Sequence, residues 1–351
     1  MSSTRSTWRS KQEQITHNYI TQNYKKMKTP KRYLCPWDYM ADPSVHVWDG
    51  RLYIYPSHDW EPEDFVENDN GDHFNMKDYH VLSLEGDPMT AEVVDHGKVL
   101  DVADIPWAGR QLWDCEVARK DGKYYMYFPL KDQNDIFRLG VAISDKPEGP
   151  FVPQPDPVRG SYSIDYAVYE ENGEYYLYFG GLWGGQLQRY QDNKALESAY
   201  LPEGKEPALP SRVVRLSEDM LGFAEEPKPV VILDKEGNPL TADNPYRFFE
   251  ASWMHKYNGK YYLSYSTGDT HYLCHAIGDS PYGPFTYAGV IMTPVVGWTT
   301  HHSIVEYNGK WWLFHHDSVP SGGKTWLRSL KVCELTYDEN GVINPIEGLD
   351  E

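Results

Sequence analysis

The sequence predicts an all-β fold: a five-bladed β-propeller whose four-stranded antiparallel blades surround a central channel. Three observations predict it. One hairpin signature occurs five times along the 351 residues. Weaker strand-like segments lie between the copies, so one unit holds about four short strands. No apolar period of 3.6 residues persists over a long window, as helices would require. A stacked sandwich of similar strand count is the alternative, but recurrence of one unit favours radial repetition.

The elements follow in order. Residues 1–32 are polar and read as an N-terminal arm, and residues 33–351 read as one propeller domain. The hairpins are DPSVHVWDGRLYIYPS (42–57), DCEVARKDGKYYMYFP (114–129), DYAVYEENGEYYLYFG (165–180), EASWMHKYNGKYYLSYS (250–266) and HHSIVEYNGKWWLFHH (301–316). Each has a polar start, an alternating strand, a DG or NG turn and an aromatic-rich strand. The turn glycines are Gly50, Gly122, Gly173, Gly259 and Gly309. DG and NG suit type I′ turns, in which both central residues take positive φ. ISDKPEGPF (143–151) and IGDSPYGPF (277–285) are near copies that follow the second and fourth hairpins as strand, turn, strand. The stretches 56–80 and 186–248 read as long loops able to wall off a pocket.

Composition narrows the function. Hydrophobic residues make up 40% and charged residues 24%, as in soluble globular domains. A net charge of −19 repels nucleic acid and anionic membranes and suits a neutral ligand or a cation. The 28 tyrosines and 12 tryptophans fill β cores and can also stack on sugar rings. Cys35, Cys115, Cys274 and Cys333 lack CxxC spacing and fit free thiols in a reducing compartment. No stretch resembles a signal-peptide core or a membrane span, so a cytoplasmic location is expected.

Aligned on the turn glycine, the position eight residues earlier holds Asp42, Asp114, Asp165, Ala251 and His301, with Glu250 one place before the alanine. These positions begin what should be the innermost strand of each blade and would converge at one end of the channel. A single acid at a strand start more often bonds the preceding turn. Four carboxylates and a histidine at matched positions point instead to a pocket, because burying acids together is costly.

The stretches CPWDYMADPSVHVWDGRLYIYPSHD, SIDYAVYEENGEYYLYFGG, FFEASWMHKYNGKYYLSYST and THHSIVEYNGKWWLF, in this order, resemble glycoside hydrolase family 43 from Tyr33 onward. The resemblance implies inverting β-xylosidase and α-L-arabinofuranosidase chemistry. It implies Asp42 as the general base, Glu250 as the general acid and Asp165 as an ionised third acid that orients Glu250 and raises its pKa. His301 would lie below the sugar, facing a calcium ion or a water cluster. Inverting hydrolysis places its two carboxyl groups about 6.5–9.5 Å apart to admit a water.

Two departures bear on substrate choice. The second blade reads Trp113, Asp114, Cys115 and Glu116 where the family pattern is W-A-P-D, and Ser252 stands in place of a proline. Trp113 and Asp114 are candidate sugar contacts. Arg328 either reaches the sugar or forms a surface ion pair. Trp183, within GGLWGG, either meets substrate or caps a blade. His302, His315 and His316 do not read as a zinc site, since neighbours on a strand face opposite ways. The expected function is exo-acting release of xylose and arabinose from short oligosaccharides. An exo-α-L-arabinofuranosidase acting on arabinan fragments and a non-catalytic glycan-binding propeller are the alternatives.

Overall fold

The computed structural model describes residues 29–190 and 199–350. Most of the expected N-terminal arm, residues 1–28, lies outside the described residues. The chain enters through β1 (Lys31–Tyr33). Blade one is β2 (Met40–Trp48), β3 (Arg51–Trp60), β4 (Asn75–Leu84) and β5 (Val93–Asp101), paired in that order. Blade two holds β6 (Ala108–Leu112), β7 (Glu116–Lys120), β8 (Lys123–Asp132), β9 (Phe137–Ser144) and β10 (Val152–Pro153). Both β6 and β7 pair with β8, so its inner strand is interrupted at Trp113, Asp114 and Cys115.

Blade three is β11 (Ala167–Glu171), β12 (Glu174–Phe179), β13 (Arg212–Arg215) and β14 (Lys228–Pro229). The short strand β15 (Ile232–Leu233) joins blade four, in parallel with its outer strand. That blade runs through β16 (Phe248–Tyr257), β17 (Lys260–Thr267), β18 (Leu273–Gly278) and β19 (Phe285–Met292). Blade five is β20 (Ser303–Tyr307), β21 (Lys310–Asp317) and β22 (Ser329–Leu335), with β1 as its outermost strand. Lys31 pairs with Cys333 and Tyr33 with Lys331, so the two ends of the chain share one sheet and close the ring. The arm boundary expected at residue 32 therefore cuts through a strand of the propeller.

All five turns behave as the dipeptides demand. Asp49, Asp121, Asn172, Asn258 and Asn308 have φ of 47–55°, and the glycine after each has φ of 73–81°. The strands on either side pair directly across these two-residue loops, for example Trp48 with Arg51 and Tyr307 with Lys310. The core lies between blades. Tyr55, Val117 and Phe128 pack where blades one and two meet, and Ile54, Leu82 and Phe314 where blades one and five meet. Burying a side chain such as Phe128 contributes about 1.5–3 kcal/mol. The four cysteines are buried free thiols.

The expected long loops shrink. β3 continues to Trp60 and β4 begins at Asn75, so the first loop spans only 61–74. The sequence hid this extension because the polar pair His58 and Asp59 is buried through ion pairs rather than apolar contact. The stretch 186–248 carries β13, β14 and β15.

Candidate active site

The innermost strands begin with backbone irregularities that re-aim their first side chains. Asp42, Asp165 and Ala251, all at the matched position, adopt left-handed φ of 46°, 61° and 60°. Pairing registers shift between Ala41 and Ser44, and on both sides of Glu250. Such bulges bend a strand and turn a side chain out of the ladder, and strained backbone of this kind concentrates at functional sites. The result is a cavity of about 1030 Å³ that brings together Asp42, Asp114, Asp165, Glu250, His301 and Arg328. Trp113 and Trp183 line it as well.

Asp42 is held as a carboxylate. Burial would raise its pKa, but the Arg328 guanidinium, together with the Ser57 hydroxyl, holds it well below the usual range. Arg328 Nη1 donates to Asp42 Oδ1 at 2.7 Å, and Ser57 Oγ donates to Oδ2 at 2.6 Å. The His316 ring is neutral: its Nδ1 accepts the Asp42 N–H at 3.1 Å while its Nε2 faces the Thr299 carbonyl at 3.1 Å. Burial lowers its pKa to about 3, in agreement with that tautomer. The Arg328 side chain is itself fixed by two parallel bonds to Asp59, Nε to Oδ2 at 2.9 Å and Nη2 to Oδ1 at 2.8 Å. Arg328 is thus a buried ion-pair centre and not a surface one.

Arg328→Leu would leave Asp42 and Asp59 as buried carboxylates without their cation. Breaking a buried pair in this way costs about 3–5 kcal/mol. A lower urea midpoint at unchanged m is the expected result. A midpoint equal to wild type would remove Arg328 from this role.

Glu250 behaves in the opposite way. Burial raises its pKa, the Thr299 hydroxyl that donates to Oε1 lowers it, and the Asp42 charge raises it again, to about 7. One cavity therefore holds one carboxyl group ionised and another protonated near neutrality. Asp165 also interacts with this acid, since burial, the Asp114 charge and the Glu250 charge together raise the Asp165 carboxyl. Asp165 Oδ2 accepts the Ala251 N–H at 2.7 Å, fixing the bulge that carries Glu250. Asp114 lines the cavity, but its oxygens accept the N–H groups of Asp165 at 3.4 Å and Tyr166 at 3.2 Å, clamping blade two to blade three. Burial and the charges of neighbouring carboxylates push Asp114 and Asp165 upward together.

The walls are aromatic. Trp113 Nε1 donates to the Phe74 carbonyl at 3.2 Å. A Cβ on Gly71 would sit 2.7 Å from the Trp113 ring, and one on Gly184 would sit 3.1 Å from it. Two loops, 61–74 and 181–187, thus close over one indole. Trp183 packs against Trp298 and Phe249, with ring centroids 5.6 and 5.3 Å away, and faces the cavity. Among the described residues, the cavity takes no wall from 186–248. Asp59, Thr299 and Trp298 escaped sequence reasoning because none stands at a repeated position, whereas Ser57 and His316 end the first and fifth hairpins, seven residues after the turn glycine, without a role having been read for them.

Asp114, Asp165 and His301 offer ligand atoms within 4.8 Å of one another and could hold a metal ion. His301 Nδ1 lies 3.8 Å from Asp165 Oδ1 and 3.9 Å from Asp42 Oδ1, and burial keeps the ring neutral with a pKa near 4. Two carboxylates raised by burial and repulsion, beside a neutral imidazole, suit a divalent cation. The oxygen donors fit calcium, with water completing its shell. His302 turns away, its Nε2 lying 2.6 Å from Ser264 Oγ, as strand alternation requires.

The family model of glycosyl hydrolases family 43 matches residues 38–343. A xylosidase/arabinosidase from Bacteroides ovatus is 75% identical over 327 residues, which cover 93% of this chain and 100% of that protein. The solved structure of RS223-β-xylosidase is 69% identical at a TM-score of 0.89, covering 92% of this chain and 99% of that one. CoXyl43, a β-xylosidase/α-arabinofuranosidase from a compost microbial metagenome, was solved with xylotriose in a calcium-free form. It is 56% identical at a TM-score of 0.88, covering 93% of this chain and 99% of that one. The propeller, the carboxyl groups gathered in its cavity and the match over most of the chain agree, and the chain belongs to the glycosyl hydrolases of family 43.

Proposed function

We propose that this protein is an inverting, exo-acting glycoside hydrolase that releases xylose and arabinose from the ends of short xylo- and arabino-oligosaccharides. The observation that carries this reading is one cavity of a family 43 propeller that holds Asp42, bonded to Arg328 at 2.7 Å, together with Glu250, which accepts from the Thr299 hydroxyl. In the mechanism Asp42 takes a proton from a water as its oxygen bonds to the anomeric carbon. Glu250 gives its proton to the departing glycosidic oxygen as that bond breaks. Arg328 and Asp59 keep Asp42 charged, and Asp165 positions the Glu250 bulge. Trp113 and Trp183 supply flat faces for the sugar.

The names of the similar proteins support both specificities, since xylosidase and arabinosidase activity occur together in them. An exo-α-L-arabinofuranosidase preferring arabinan fragments is the second reading within this chemistry. Product analysis on xylobiose, xylotriose and arabinan oligosaccharides tests the proposal. Xylose is expected as the first and main product. Inertness on every member would favour a non-catalytic glycan-binding propeller, and arabinose alone would favour the second reading.

Calcium held by Asp114, Asp165 and His301 would supply fixed positive charge that offsets repulsion among the buried carboxylates. Treatment with a chelator is expected to lower kcat, and added calcium to restore it. Equal rates before and after both steps would rule out a functional calcium.

A further inference from the structure

A second cluster lies in blade one, facing away from the cavity. Asp59 turns toward Arg328, whereas its neighbour His58 on β3 turns toward β4. There His58, Asp78 and His80 place two imidazoles and a carboxylate with ligand atoms within 4.8 Å of one another. His58 Nδ1 lies 2.7 Å from Asp78 Oδ1. The remaining ring nitrogens meet carboxylates: His58 Nε2 is 3.3 Å from Asp38 Oδ2, and His80 Nδ1 is 3.1 Å from Asp95 Oδ1. Those carboxylates are fixed in turn, Asp38 by the Tyr39 N–H at 2.8 Å and Asp95 by the Gly97 N–H at 2.7 Å. Trp60 Nε1 donates to Asp78 Oδ1 at 2.9 Å, which orients the third candidate ligand.

These contacts have the arrangement that the outer shell of a metal site requires. Histidine ligands nearly always present their second ring nitrogen to a carboxylate, carbonyl or water, which sets the tautomer and the ring angle. Here both histidines do so, through different acids on different segments. We propose that His58, Asp78 and His80 bind a transition-metal dication of the zinc class, with Asp38 and Asp95 orienting the imidazoles. Two imidazoles and one carboxylate favour zinc, cobalt or nickel over calcium, which prefers oxygen throughout. Three protein ligands leave a position for water. The ion takes the place of the proton between His58 and Asp78, and that proton leaves to solvent.

The ion would tie β3 to β4 where their register shifts, between Ser57 and Asp59. Those two residues hold Asp42 and Arg328, so the site reinforces the segment that supports the base without touching substrate.

Zinc titration of the chelator-treated protein by calorimetry, in excess calcium to fill the channel group, tests this. So does anomalous scattering from zinc-soaked crystals. One equivalent of zinc, an anomalous peak between His58, Asp78 and His80, and a raised Tm are expected. His80→Ala should abolish all three while keeping hydrolysis, with His80→Gln as a second variant should alanine impair folding. Asp95→Asn should weaken binding about 10- to 100-fold. A peak only at the channel group, or His80 variants that bind zinc as wild type does, would overturn the proposal and mark the cluster as an ion-pair network.

Discussion

Asp42→Asn is expected to lower kcat on xylobiose by about 10²–10⁴-fold, the range that a positioned general base contributes. The amide keeps the shape of the side chain but has no basic oxygen to take a proton from water. Because the base acts only as water attacks, KM should change little. Arg328 would retain its two bonds to Asp59, so folding should survive, and an unchanged circular-dichroism spectrum checks that. Wild type needs no acidic limb in the usual assay range, since Asp42 stays ionised far below it. Full activity in Asp42→Asn would remove it as the base.

Glu250→Gln should produce an equally large loss on xylobiose, about 10²–10⁴-fold in kcat/KM, with a different signature. A nitrophenolate leaves without much protonation, so hydrolysis of p-nitrophenyl β-D-xyloside should fall far less. The sign of the pH dependence follows from the role. Glu250 works in its protonated form, and its pKa is raised to about 7. Wild-type kcat/KM should therefore hold below that pH and fall by about tenfold per unit above it. Glu250→Gln should abolish that limb. Equal losses on both substrates, or a limb that persists in the variant, would place the acid elsewhere.

Much of this site was legible because the chain repeats itself. The DG and NG turns encode their own geometry, and counting back from each glycine reached Asp42, Asp114, Asp165 and His301 directly. Glu250 sits one place off because the bulge there puts Ala251, not the acid, in the left-handed conformation. Local patterns could not show the partners that set the charges. Arg328 and Asp59 are 269 residues apart in sequence and meet only because blades one and five close the ring. His316 and Thr299 act on Asp42 and Glu250 from a neighbouring blade. Closure itself was hidden, since three residues of β1 carry no periodicity to read. The extension of β3 was hidden as well, because its buried residues are ion-paired rather than apolar.

The central claim is that two carboxyl groups act on opposite sides of the scissile bond, one through water and one on the leaving oxygen. Proton NMR of the anomeric signals during the first minutes of p-nitrophenyl β-D-xyloside hydrolysis tests it most directly. The account predicts α-xylose first, with β-xylose growing in only by mutarotation. β-Xylose as the first product would mean retention through a covalent intermediate and would contradict the roles given to Asp42 and Glu250.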